Sequence, residues 1–246
     1  MAQIMVGLDG QTLRGGTMKG RLITLEGIDG TGKTTQVALL ADKLKEEGYD
    51  VLTTKEPGSS VDPTSLGLEL RRILFQTVTT HNMARGVADC LLLADHIQHV
   101  EKVVLPSLEK GQTVISDRYA DSEFSYAVAK QTPGPILEAF KAFYGPIPDI
   151  TVLFIATDVQ TMLDRARARR GETHQSGKTW NEVNQQTAIQ RAYLENLVGQ
   201  NRTIVLSITP EQTPAQVFEQ LWSSVSYAMK RPIELIQGES SRTIEV

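Results

Sequence analysis

Five short runs of this 246-residue chain are apolar almost throughout or rich in β-branched residues: 22–26 (LITLE), 51–54 (VLTT), 113–117 (TVISD), 150–156 (ITVLFIA) and 203–207 (TIVLS). Between them apolar positions recur three and four apart, which predicts helices over 33–47, 64–75, 84–109, 122–143, 158–169, 181–198 and 213–229. Helix 33–47 is the plainest: Val37, Leu40, Ala41 and Leu44 share a face, Gly48 follows the last turn, and VLTT returns as a strand. The helix over 122–143 carries a break at Pro133-Gly134-Pro135, where proline removes amide donors from the ladder. Short strands alternating with longer helices build a parallel sheet covered on both faces. The expected fold class is therefore α/β, with a five-stranded parallel sheet.

The flanks look different. Residues 1–20 hold Gly7, Gly10, Gly15, Gly16 and Gly20 without a period, and are expected to form a mobile N-terminal extension, with Met18 as an alternative start. Residues 21–229 are read as one domain, a size that one core can serve. Residues 230–246 (KRPIELIQGESSRTIEV) read as a polar tail with a short apolar patch.

Composition narrows the function classes. With 25 Lys and Arg against 29 Asp and Glu, the net charge of −4 provides no global field for nucleic acid or a membrane, so any anion site must be local. A DNA-binding or motor ATPase is poorly supported, because no stripe of basic and aromatic residues is present. The single cysteine, Cys90, lies beside Leu91, Leu92 and Leu93 and is expected to be a small buried thiol in a reducing cytoplasm. No apolar stretch reaches the roughly 20 residues of a membrane span, and the start lacks the apolar core of a signal peptide. The expected location is cytoplasmic.

The chemistry is concentrated at EGIDGTGKTT, residues 26–35. Gly27 to Thr34 fits GxxxxGK[ST] and sits between a strand and an amphipathic helix, the context the motif requires. Gly27, Gly30 and Gly32 let successive backbone amides, with those of Thr31 and Thr35, point into one concavity, and the helix start adds free donors and a positive dipole end. Phosphate oxygens complement that cradle. Lys33 is expected to reach the β- and γ-phosphates of a nucleoside triphosphate, and the Thr34 hydroxyl to ligate Mg²⁺.

Other stretches point to a second phosphate. The apolar strand TVISD ends in Asp117-Arg118, where open α/β sheets place ligand-binding groups. Asp117 can hold the metal or its water shell and Arg118 can fork onto a phosphate; alternatively the two cap the following helix or pair with each other. In GLELRRIL, Arg71 is the candidate ligand and Arg72 is equally readable as surface charge. LDRARARRGETHQSGKTW crowds Arg165, Arg167, Arg169 and Arg170 before Gly171, Ser176 and Gly177. A basic helix end feeding such a loop suits a lid, about residues 165–182, with Arg165 and Arg169 supplying transition-state charge. A solvated basic face is the other reading.

Taken in order, EGIDGTGKTT, KEPG, ELRRIL, SDRYADSEFSY and RARARRGE resemble the thymidylate kinases (dTMP kinases) over roughly residues 20–225. The resemblance implies a three-layer P-loop kinase fold with a basic lid, ATP and Mg²⁺ as cofactors, transfer of the γ-phosphoryl to dTMP, and a homodimer. It implies that Asp29 contacts the acceptor's 3′-hydroxyl, that Arg71 and Arg118 hold its phosphate, and that Tyr126 crowds the sugar's 2′ position. Glu56, Pro57 and Ser122 join the acceptor site by the same likeness. With Gly30 in the loop, the catalytic arginine is expected from the lid.

The base pocket departs from the family. Where the family stacks thymine on phenylalanine and reads it with arginine, this chain has Leu92 and His96, and Glu123 and Ala127 replace two smaller or amide-bearing contacts. The lid carries Lys178-Thr179-Trp180-Asn181 in place of the usual acidic-basic-aromatic run. Two readings stand: a thymine pocket with substitute contacts, or a kinase for another or modified deoxynucleotide whose N–H donors suit Glu123. Glu123 is equally readable as a first-turn acid that never meets substrate, and His96 and His99 as surface or satisfied core histidines. From another class, a regulatory P-loop protein would bind nucleotide without an acceptor, which the paired Arg71 and Arg118 oppose.

Overall fold

The structure is a computed structural model, and it describes residues 20–62, 64–77, 84–170 and 179–230. Residues 1–19 of the expected N-terminal extension, most of the tail and the central part of the lid lie outside the described residues; Gly20, read as the end of the mobile extension, is buried and donates its amide to the Leu108 carbonyl at 3.0 Å. Five strands are found among them: β1 Leu22–Gly27, β2 Val51–Lys55, β3 Thr113–Asp117, β4 Ile150–Ala156 and β5 Thr203–Ile208. All pair in parallel, in the order β2-β3-β1-β4-β5. Each strand stands within a residue or two of its sequence reading, because apolar runs bounded by polar turns leave little freedom in placing a doubly covered strand.

The helices are α1 Lys33–Glu46, α2 Leu66–Arg72, α3 Arg85–His99, α4 Leu105–Glu109, α5 Ala120–Ala129, α6 Gly134–Ala142, α7 Val159–Arg170, α8 Thr179–Leu197 and α9 Pro214–Met229. A π-helical turn at Val100–Val104 joins α3 to α4, so the segment expected over 84–109 is helical throughout but not uniformly α. The break at Pro133 separates α5 from α6 as expected.

One core packs α1, through Val37, Leu40, Ala41 and Leu44, and α9, through Val217, Leu221 and Val225, with β1, β4 and Tyr193 of α8. A second joins Leu22 and Val114 to Val100, Val104 and Leu108. Each fully buried leucine here stabilises the fold by roughly 1.5–3 kcal/mol. Because the connection from β1 runs to β2 on one side of the sheet and that from β3 runs to β4 on the other, the carboxyl ends of β1 and β3 flank the topological switch point, where α/β sheets bind ligands.

Candidate active site

The loop after β1 turns tightly into α1. Gly30 and Gly32 take φ of +87° and +90°, and α1 starts at Gly32 without a side-chain cap. The first amides of such a helix have no intrahelical acceptors and face whatever lies at its start. A Cβ at Gly30 would lie 1.8 Å from the Met162 carbonyl oxygen on α7. No side chain fits there, so the loop cannot supply an arginine from that position.

Lys33 is buried and donates to the Ile28 carbonyl at 2.8 Å, folded along its own loop. Burial, with the nearby Arg118 charge, lowers its ammonium to about 7. Thr34 Oγ1 donates to Asp117 Oδ2 at 2.5 Å, so a hydroxyl and a carboxylate from segments 83 residues apart converge at the start of α1. Hard oxygen donors so placed fit a magnesium ion, which prefers few protein oxygens beside waters and phosphates.

Arg118 stands at the end of β3 with φ +74°, an unusual conformation for a residue with a Cβ and one found where structure is constrained for function. Its guanidinium donates to Asp29 at 2.6 Å, the Gly27 carbonyl at 2.9 Å, Tyr193 at 3.2 Å and Ser122 at 3.3 Å, and lies 5.2 Å from the centre of the Tyr126 ring. Asp117 and Arg118 thus neither cap α5 nor pair with each other: one turns to Thr34, the other to Asp29. A fixed guanidinium beside the phosphate loop can grip a second anion bidentately.

A buried polar cluster adjoins this wall. Glu56 lies between His96, with Nδ1 3.0 Å from Oε2, and His99, whose Nδ1 contacts Oε1. The second nitrogen of His96, Nε2, meets the Tyr144 carbonyl at 3.2 Å. A carbonyl only accepts, so both His96 nitrogens carry protons. Burial alone would lower this imidazolium, but the Glu56 charge outweighs burial and holds it at about 10. Glu56 resists burial in the same way, His96 first and His99 second, and is held at about 2. His96 and His99 are therefore satisfied core histidines.

Glu123, in the first turn of α5, is buried, and neither carboxyl oxygen has a hydrogen-bond partner. Burial pushes it well above the ordinary carboxylate range; His96 opposes, and Glu56, Asp95 and Glu26 reinforce. Ligating atoms of Glu56, His96 and Glu123 lie within 4.8 Å of one another. A cation there would need a lone pair that His96, with both nitrogens engaged, does not offer. Leu92 is half-buried on α3, and Ala127 is buried one turn beyond Glu123.

Arg71 donates to the Pro57 carbonyl at 2.8 Å and stacks 4.7 Å from the centre of Phe75. Gly58, at φ +80°, makes room for it, since a Cβ there would lie 2.6 Å from the Arg71 side chain. Arg72 pairs with Glu69 on the surface. On α7, Arg165 is exposed and donates to the Pro210 carbonyl, Arg167 pairs with Asp164 and Glu182, and Arg169 is exposed. None of these contacts ties the lid arginines to the phosphate loop, although Met162, one turn before Arg165, packs on Gly30.

One expectation is overturned: Cys90 is exposed, not buried. It shares its helix with Asp89 and Leu91–Leu93, and the turn of α3 that buries Asp89 directs the next residue outward. Tyr193 and Glu26 escaped the sequence reading. Ser122 donates to Glu26 and lies 2.5 Å from the Tyr193 hydroxyl, which together tie α5, β1 and α8 under Arg118. Tyr193 sits 75 residues from Arg118, beyond any local signal.

A family model described as thymidylate kinase matches residues 25–219. The chain is 41% identical over 174 residues to a thymidylate kinase of Clavibacter sepedonicus, covering 64% of this chain and 78% of that one. It is 39% identical over 158 residues to a thymidylate kinase of Nitrosomonas eutropha, covering 63% and 69%. A probable thymidylate kinase of Pyrococcus abyssi is 40% identical over 154 residues, covering 62% and 72%. Among solved structures, the crystal structure of thymidylate kinase from Ehrlichia chaffeensis superposes with a TM-score of 0.63 at 22% identity, over 84% of this chain and 98% of that chain. That last likeness concerns the fold.

Proposed function

Because the chain belongs to the thymidylate kinase family, we propose that it transfers the γ-phosphoryl group of ATP to dTMP, giving dTDP. The observation that carries this reading is the joining of the phosphate loop to a second anion site: Arg118 reaches Gly27 and Asp29, while Thr34 meets Asp117. The comparisons lend no support to a different acceptor.

The loop amides and Lys33 hold the donor's phosphates, and a triphosphate entering the cradle draws Lys33 from the Ile28 carbonyl and restores its full charge. Thr34 and Asp117 would hold Mg²⁺, which would supply positive charge to the phosphate oxygens. Arg118 and Arg71 seat the acceptor phosphate, Asp29 the sugar, and Tyr126 closes the sugar's 2′ side. A phosphate monoester oxygen is already nucleophilic near neutral pH, so positioning and charge neutralisation carry the rate. Since no side chain fits at Gly30, the transition-state cation comes from the lid, Arg165 or Arg169, after a rearrangement that releases Arg165 from Pro210.

The catalytic unit spans residues 21–229. Exposed Leu68 on α2, Phe75 in the π-helical turn Ile73–Thr77 that follows it, and Val87 on α3 support a homodimer. No helix among the described residues is long and apolar enough to cross a membrane, and we place the enzyme in the cytoplasm.

ATP consumption with dTMP, dUMP, dCMP and dGMP as acceptors tests the reading. Preferred turnover of dTMP is expected; better turnover of dCMP or dGMP, or hydrolysis indifferent to every acceptor, would overturn it.

A further inference from the structure

A long arginine side chain free to move would lose several torsions on gripping a phosphate, so an arginine already held in place binds at a smaller entropic cost. Arg118 is held. Nη1, with two hydrogens to give, meets three acceptors, the Gly27 carbonyl, Ser122 and Tyr193, while Nη2 meets Asp29. Gly27 and Asp29 come from the end of β1 and the loop after it, and Ser122 stands four residues beyond Arg118 itself. Of these partners only Tyr193 comes from the distant part of the chain, on α8.

Tyr193 is fully buried, and its ring belongs to the core beneath the sheet. Packing accounts for the ring but not for the oxygen, since a buried hydroxyl is costly unless it finds partners. This one lies 3.2 Å from Arg118 Nη1 and 2.5 Å from Ser122 Oγ. Ser122 spends its own hydrogen on Glu26, so the phenol donates to Ser122 and keeps a lone pair to accept from Arg118. Each hydroxyl oxygen thus accepts from the guanidinium and passes its hydrogen inward, from Tyr193 to Ser122 to Glu26. Burial pushes the Tyr193 phenol well above its ordinary range, which keeps that hydrogen in place.

We infer that Tyr193 is a positioning residue for the acceptor phosphate: its hydroxyl, anchored on α8, holds the Arg118 guanidinium in the pose that receives a phosphate monoester. The inference rests on the proposed acceptor site and deepens it. Tyr193 acts through Arg118 and not on the substrate. Its ring also stands edge-on to Tyr126, with centroids 6.4 Å apart. Phenylalanine at 193 would keep that contact and the core packing, and would delete the oxygen alone.

In the full chain, Tyr193→Phe should raise the KM for dTMP roughly three- to tenfold, the range for one hydrogen bond. The guanidinium serves the acceptor phosphate in ground and transition states alike, so kcat should fall by less than about threefold and the KM for ATP should stay within about twofold. Two calorimetric arms separate aim from packing. Thymidine, which lacks the phosphate, should bind wild type and Tyr193→Phe equally; and in an Arg118→Ala background Tyr193→Phe should no longer weaken dTMP binding. No dTMP turnover by wild type would sink the functional reading and this inference together. Normal wild-type turnover with an unchanged dTMP KM in Tyr193→Phe would sink this inference alone, as would a loss of equal size for thymidine or in the Arg118→Ala background. Sucrose, which favours the folded state, keeps the same comparisons available should Tyr193→Phe be unstable.

Discussion

Arg118 donates to Asp29 at 2.6 Å, joining the end of β3 to the phosphate loop across 89 residues of sequence. The pair fixes a guanidinium beside the loop before any acceptor arrives, at the strained φ of +74°. Arg118→Ala should raise the KM for dTMP by at least tenfold and leave the KM for ATP within a few-fold, as steady-state kinetics would show. Arg118→Lys should recover little, because an ammonium lacks the planar fork.

Lys33→Ala should lower kcat by two orders of magnitude or more, since it removes a buried cation whose contact strengthens as phosphate charge moves. Single-turnover assays separate this from weaker ATP binding. Unchanged kcat would mean that the loop does not hold the donor.

Thr34 and Asp117 meet at 2.5 Å. Asp117→Asn should shift the magnesium titration of activity to severalfold higher concentration, because a neutral amide attracts the hydrated cation less. Superimposable titrations would place the metal elsewhere.

Gly30→Ala forces a Cβ onto the Met162 carbonyl, 1.8 Å away, at a φ of +87°. The backbone penalty alone is on the order of 1–2 kcal/mol, and the clash must also move the loop or α7. A lowered Tm together with weakened ATP binding by calorimetry is the expected result.

The buried cluster around Glu56 should make stability depend on pH with a definite sign. His96, ordinarily near 6.5, is raised to about 10, Asp95 is raised to about 6, and Glu123 is raised as well. Each raised group contributes stability that is complete below its unfolded pKa and lost as pH climbs through its folded one. Glu56, lowered from 4.5 to about 2, acts oppositely and loses its contribution only as pH falls through about 2. Stability from the cluster should therefore peak near the ordinary carboxylate range and decline from there toward pH 10, by a few kcal/mol in order of magnitude. Urea titrations across this range should show the decline in wild type and a flatter profile in His96→Gln.

Strand and helix positions were legible because their signals are local. A continuous apolar run and three-to-four spacing each show within a few residues, so β4 and α1 declare themselves without knowledge of neighbours. The phosphate loop is equally contiguous: Gly27, Gly30, Gly32, Lys33 and Thr34 act through backbone shape and one helix end. Burial at a helix edge is less local, which is why Cys90 is exposed although the leucines beside it in sequence predict burial.

What the amino-acid order determined by itself was the α/β plan, the anion cradle and the placing of Asp117 and Arg118 side by side at a strand end. Only packing decided which partners those groups meet: Asp29 for Arg118, Thr34 for Asp117, and the two histidines for Glu56. It also decided that Glu123 would be enclosed without a partner. Charge state and hydrogen bonding depend on the dielectric and donors that distant segments bring together, and no short stretch of chain carries that information.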